Sequence, residues 1–207
     1  MMIKIKKILE WIHFIFHSDK VLFCNLYDCV VTRPKENDIE PKFKLNSSMM
    51  NAISVYKPTA IHIVCNYSSF KINFPDEKKI FHAFLTLSNH IKEKTGVKKV
   101  SWDVAEAYGK KNDALPSPNM LIYYMEDGIG GTDCSSKRCL FVGTGKNDYL
   151  AAKAAHVKYC TTKNFIESMI PCEICRSLNV YKCGEDNYLL PCKWSPMQRL
   201  EECIEYL

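Results

Sequence analysis

The chain has 207 residues, 47% of them apolar and 12% aromatic, enough to bury a full core in one domain with a small appendage. Its net charge of +5 is spread, with Lys and Glu interspersed rather than gathered into one block. That leaves an ordinary solvated surface and an anionic partner such as nucleic acid both open.

The first segment, 1–19, begins MMIKIKKILEWIHFIF, with Lys4, Lys6 and Lys7 before an apolar stretch. Glu10 and His13 interrupt that stretch and no small-residue cleavage site follows, so a basic amphipathic helix fits better than a secretory leader. Such a helix packs on the domain, or meets a partner or a membrane surface. No run of about eighteen apolar residues, the length a membrane span needs, occurs anywhere. The expectation is therefore an intracellular protein, cytoplasmic or nuclear, neither secreted nor transmembrane. The eleven cysteines cannot all pair with one another, and six of them (Cys24, Cys29, Cys65, Cys134, Cys139, Cys160) lie in or beside strand-like segments, which favours reduced thiols.

From Lys20 onward strands and helices alternate. Val21 to Asn25 reads as a buried strand, and Ser47 or Ser48 is placed to cap a helix that runs to Tyr56 and ends at Lys57-Pro58. Ala60 to Cys65 is a second strand. Pro75-Asp76-Glu77 opens a long helix with Ile80, Phe81, Phe84, Leu87 and Ile91 at the helical period, closed by Gly96. Val97 to Val104 is a third strand, Pro118 to Met125 a short helix and Lys137 to Val142 a fourth strand. A helix over Asp148 to Ala155 and a fifth strand, Val157 to Cys160, complete the series. Apolar strands alternating with helices predict an α/β fold, a three-layer doubly wound parallel sheet over 20–168, with a small Cys-rich appendage over 169–207. Sites in such folds lie at the carboxyl ends of the strands.

Those ends carry Asn25-Leu26-Tyr27, then VCNYSS (Val64 to Ser69), ALPSPNM (Ala114 to Met120) and FVGTGKNDYLAAKAAHV (Phe141 to Val157). Their order and spacing resemble the haloacid-dehalogenase-like phosphatases, particularly the polynucleotide 3'-phosphatase and histidinol-phosphatase branch. The resemblance runs from Lys20 to Ser168. It is carried best by the Val-Gly, spaced Asp and Ala-Ala-x-x-Ala of the fourth segment, and by VKYCTTKNFI as a last strand and turn before a closing helix.

The resemblance implies a nucleophilic Asp where Asn25 stands and an acid-base Asp where Tyr27 stands. It implies a Gly at Asp28 and a Thr at Cys29. At the second strand end a phosphate-holding Thr or Ser is replaced by Cys65, while Asn66 keeps the family's Asn. Leu115 before Pro116 takes the place of a phosphate-binding Lys, Thr144 that of a metal-holding Asp, and Asp148 that of a second such Asp. An amide cannot form an acyl-phosphate, and a single carboxylate is a poor magnesium site. Asn25, Tyr27, Cys65, Asn66, Leu115, Thr144 and Asp148 thus read as a vestigial pocket with no catalytic residue, no catalytic cofactor and no expected magnesium. Shifting the register does not restore the acid pair, because Asp28 as nucleophile puts Val30 in the acid's place. Asp103 and Asp133 lack a partner acid at the required spacing. GTGK (Gly143 to Lys146) lacks the earlier Gly of a phosphate loop, Leu140 standing there. It reads as a flexible turn with a solvated lysine, or as Lys146 and the glycine amides holding an anion.

Beyond the resemblance, PCEICRSLNVYKCGEDNYLLPC carries Cys172, Cys175, Cys183 and Cys192. The readings are reduced buried thiols, a structural zinc, or disulfides, in that order. Two function classes follow. The first is a catalytically inactive binding or assembly protein on a phosphatase-like fold, with a protein partner or a second copy. The second acts on or binds 3'-phosphorylated nucleic-acid ends through a displaced site, with Lys110, Lys111 and Lys146 gathering the anion, joined by Arg33 or Lys35. Plentiful Lys, Ile and Asn with few Gly and Ala fit an AT-rich genome such as that of a large DNA virus.

Overall fold

The structure, a computed structural model, describes residues 20–33, 43–66, 77–105, 114–127 and 134–169. The expected N-terminal helix, the Cys-rich segment beyond 169, and Lys35, Lys110 and Lys111 lie outside the described residues.

Five runs of apolar residues form one parallel sheet. They are β1 (Val21–Asn25), β4 (Ala60–Asn66), β5 (Lys99–Ala105), β6 (Cys139–Gly143) and β7 (Lys158–Thr161), in the order β5-β4-β1-β6-β7. Two short strands, β2 (Val31–Thr32) and β3 (Lys44–Leu45), pair antiparallel as a separate ribbon that the sequence pattern did not announce. The central strands are apolar on both faces because helices cover both. On one face α1 (Ser47–Tyr56), α2 (Glu77–Thr95) and α5 (Thr162–Met169) bury Met49, Ile53, Phe84, Leu87 and Phe165 against Leu22, Cys24, Ile61 and Ile63. On the other, α3 (Asn119–Asp127) and α4 (Lys146–Ala154) bury Leu121, Met125, Ala151 and Ala152 against Phe23, Val64 and Phe141. This is the expected three-layer doubly wound α/β fold.

Local chemistry sets the element ends. Asn46, not Ser47 or Ser48, caps α1: its Oδ1 accepts from the Met49 backbone N–H at 3.2 Å, which places the serines inside the first turn. Lys57 ends α1 in the left-handed region (φ 52°), returning its N–H to Ile53. Gly96 closes α2 at φ 74°, a conformation glycine adopts without cost. Lys137 and Arg138 do not extend β6; they lie in a single 3-10 turn, Ser136–Arg138, held by the Arg138 N–H on the Ser135 carbonyl. Similarly, α4 begins at Lys146 rather than Asp148, because the Asp148 carboxylate reaches back over the first turn.

Candidate functional site

After β1 the chain moves to β4 and β5 on one side, then crosses back to β6 and β7 on the other, so the winding direction reverses between β1 and β6. The carboxyl ends flanking such a reversal splay apart and leave a crevice. Asn25 closes β1 there, and Gly143 closes β6.

The two ends are joined by one side-chain bond. The Asn25 amide nitrogen donates to Asp148 Oδ1 at 2.7 Å, and Asp148 itself is 3% exposed. The other carboxylate oxygen accepts from the backbone N–H groups of Thr144 (2.7 Å) and Gly145 (3.3 Å). Asp148 is the third residue of α4, so its carboxylate reaches back over the first turn and satisfies donors that a helix otherwise leaves open. That is why the helix starts two residues before Asp148. A negative side chain also suits the positive end of the helix dipole.

Gly143 makes this possible by lacking a side chain: a Cβ there would lie 2.5 Å from the Asp148 Cβ and 2.6 Å from its Oδ2. The rest of the loop is tied down. Thr162 donates its hydroxyl to the Gly143 carbonyl at 3.1 Å, and the Tyr159 hydroxyl donates to the Gly145 carbonyl at 3.4 Å. GTGK is therefore a capped helix start, not a flexible turn. Its Thr144 and Gly145 amides serve the Asp148 carboxylate of the chain itself. The Lys146 side chain is exposed at the rim.

Around the crevice the other expected positions fall into two groups. Asn66, at the end of β4, clasps the loop before α3: its Oδ1 accepts from the Leu115 N–H at 2.8 Å and its amide donates to the Leu115 carbonyl at 3.3 Å. The Leu115 side chain is buried with Met120 and Leu121 beneath α3, so the position is apolar and inward. Cys65 and Tyr27 turn to the opposite core. Burial, with Asp103 nearby, pushes the Cys65 thiol well above its ordinary range. The Tyr27 phenol is pushed up to about 12, chiefly by burial and then by Cys65, with Arg33 over its ring at 5.4 Å pulling the other way. Tyr27 is thus a packed core residue, 5% exposed. Thr144 contributes its backbone N–H and leaves its side chain exposed.

Asp28 occupies the tight turn with φ 60°, in the left-handed region that short polar residues tolerate better than most, and its N–H bonds the Val31 carbonyl at 2.8 Å. Cys29 donates its thiol to the Val142 carbonyl at 3.5 Å, linking the turn to β6. No motif in the sequence singles out Thr162 or Tyr159. Their only signal is the TT and KY of the last strand and turn, because a hydroxyl bonding a carbonyl leaves no periodic mark.

No family model matches the chain, and no curated protein matches it. Solved structures do. A Mesorhizobium loti protein described as a HAD-like phosphatase aligns at 20% identity over 67% of this chain and 69% of its own, with a TM-score of 0.50. The D,D-heptose 1.7-bisphosphate phosphatase of B. bronchiseptica, solved with magnesium and phosphate, aligns at 15% identity over 79% of this chain and 99% of its own, with a TM-score of 0.51. The fold is that of the haloacid-dehalogenase-like phosphatases.

On this HAD-like fold the residues at the crevice do not fit magnesium. The ion needs several hard oxygen donors in a near-ideal octahedron. An ionised carboxylate accepts bonds only, so the Asn25 group facing Asp148 at 2.7 Å is the NH2 donor, which offers a cation no lone pair. Both Asp148 oxygens already accept hydrogen bonds. Among the described residues no three His, Cys, Asp or Glu side chains converge to hold a metal, and no helix is long and apolar enough to cross a membrane. The proposed zinc ligands Cys172, Cys175, Cys183 and Cys192 lie outside the described residues.

Proposed function

We propose that the protein is a catalytically silent phosphatase-like protein that works by binding or assembly. The observation that carries this reading is the Asn25–Asp148 bond, which spans the mouth of β1 and β6 with an amide and a carboxylate. A phosphatase of this fold needs a carboxylate nucleophile at that strand end and a cation beside it, since a neutral amide cannot attack phosphorus and leave an acyl-phosphate. Buried Tyr27 at the acid-base position and buried Leu115 at the lysine position support the same reading. Groups that act together in one transition state are lost together without further penalty, which makes a coordinated replacement intelligible. A protein partner or a second copy remains the proposed target. Phe81 and Leu85, one turn apart on α2 and 52% and 44% exposed, offer apolar surface for it.

The test is an assay of purified protein with magnesium against a generic aryl phosphate and a 3'-phosphorylated oligonucleotide. No magnesium-dependent turnover is expected. Turnover that disappears on Asn25→Ala would overturn the proposal, whereas turnover that survives that change would favour the second class, a displaced site acting on nucleic-acid ends. Retention of the oligonucleotide without turnover, weakening steeply with salt, would identify an anionic binding partner.

A further inference from the structure

The other end of the sheet carries chemistry that the crevice does not use. Cys139 opens β6, and Cys134 stands one 3-10 turn earlier; their sulfurs are 3.5 Å apart. Of the described cysteines, Cys24, Cys29, Cys65, Cys139 and Cys160 are buried, and Cys134 is partly exposed. The segment is anchored from below by the Cys134 N–H on the Met125 carbonyl at 3.0 Å, which holds the pair against the end of α3. In the turn between Cys134 and Cys139 lie Lys137 and Arg138, positive charges that draw an anionic reagent.

We propose that Cys134 and Cys139 form a thiol-exchange site that takes a low-molecular-weight anionic disulfide of the oxidised-glutathione class and closes to an intramolecular disulfide. Cys134 is the entry thiol, because it alone of the pair reaches solvent. Its thiolate attacks one sulfur of the small disulfide, RSSR; the S–S bond breaks, a Cys134–S–SR bond forms, and one RSH leaves with the proton. Cys139 then attacks the Cys134 sulfur, the Cys134–SR bond breaks, and a second RSH leaves with the Cys139 proton. Two protein thiols lose two electrons in all, and RSSR gains them.

The order of events follows from what restrains Cys139. Its hydrogen bond with Cys134 is the largest cause holding it in the thiol form, followed by burial and the charge of Cys134. Capture of Cys134 by RS removes the first and last of these. The resolving thiol is therefore released by the first step itself, already beside its target. The buried Cys24 and Cys29 pair has no such entry, and burial keeps Cys24 protonated.

The experiment treats reduced full-length protein with limiting oxidised glutathione, quenches with iodoacetamide, and digests at aspartate. Cleavage before Asp133 and Asp148 gives a peptide, 133–147, whose only cysteines are Cys134 and Cys139. The expected product is that peptide without alkyl groups, lighter by two hydrogen atoms. A Cys139→Ser chain should instead keep glutathione on Cys134, and a Cys134→Ser chain should show Cys139 unmodified. The idea fails if the wild-type peptide carries two alkyl groups, retains glutathione, or is cross-linked to another peptide. The wild-type readout does not depend on whether either variant folds.

Discussion

Two asparagines end neighbouring strands of the sheet, and they are used in opposite ways. Asn66 on β4 turns both halves of its amide to the Leu115 backbone, so an uncharged loop is held by an uncharged clasp. Asn25 on β1 turns its donor half to a buried carboxylate. The first arrangement is complete as a piece of architecture. The second joins two positions that, on the resemblance, belong to a metal and a nucleophile, and it keeps Asp148 as a helix cap. The Thr144 and Gly145 N–H groups give the Asp148 carboxylate a structural task of its own.

The contrast can be broken most severely at Gly143. An added methyl would overlap Asp148, so Gly143→Ala should cost about 3 kcal/mol of stability, the upper range for overpacking, measured by urea unfolding. A smaller but more specific effect is expected from Asn25→Asp. It sets two carboxylates against each other and should cost about 2 kcal/mol in chelator, since removing one partner leaves the other charge poorly compensated. Added magnesium should raise the melting temperature of that variant and leave the wild type unchanged. Adding Tyr27→Asp as well should still give no turnover, because Leu115 and Thr144 are unaltered.

The strand that carries Asn66 should also respond to pH. His62, on β4, is buried against Phe23 and Tyr124, with Nδ1 2.9 Å from the Ser101 hydroxyl. Burial lowers it from its ordinary 6.5 to about 3. The folded state thus keeps His62 neutral while the unfolded chain protonates it, so stability is full above pH 6.5 and is lost as pH falls towards 3. At pH 5 the loss should be about 2 kcal/mol, and His62→Phe should flatten that slope in unfolding curves taken across the range.

Asn66→Leu leaves the Leu115 N–H and carbonyl without their side-chain partner and should cost about 1.5 kcal/mol. It should leave the Asn25–Asp148 bond intact, as seen in unchanged Thr144 and Gly145 amide resonances. The smallest effect belongs to the exposed Arg33–Asp28 pair at 3.2 Å. Asp28→Gly gives up that pair but relieves a left-handed φ, so stability should stay within about 0.5 kcal/mol by the same unfolding assay.

Much of this was legible in the sequence where period and punctuation coincide. Val21–Asn25 was read with its observed bounds, and the parallel sheet followed from apolar strands spaced by helices. Asp28 stands where the resemblance implies a Gly, and its φ of 60° lies in the left-handed region that glycine or a short polar residue tolerates. The cap of α1 was misplaced because Asn46, Ser47 and Ser48 are all good caps, and only the Met49 N–H chooses among them. The start of α4 was misplaced because Asp148 looks like a cap by type, whereas it acts from inside the first turn. The Asn25–Asp148 bond spans 123 residues, and no local pattern records such a partner. The Cys134–Cys139 contact, five residues apart, was hidden because 137–142 read as a strand, which would have separated the two sulfurs.

The most direct test of the clasp at β1 and β6 is a magnesium titration followed by the Asn25 side-chain NH2 and the Thr144 and Gly145 backbone amide resonances. These donors meet Asp148 and, on the proposed reading, should not move beyond the general salt response, because both oxygens of that carboxylate already accept their bonds. A saturable shift confined to those resonances, strengthened by inorganic phosphate, would show that the crevice holds magnesium and would contradict the clasp.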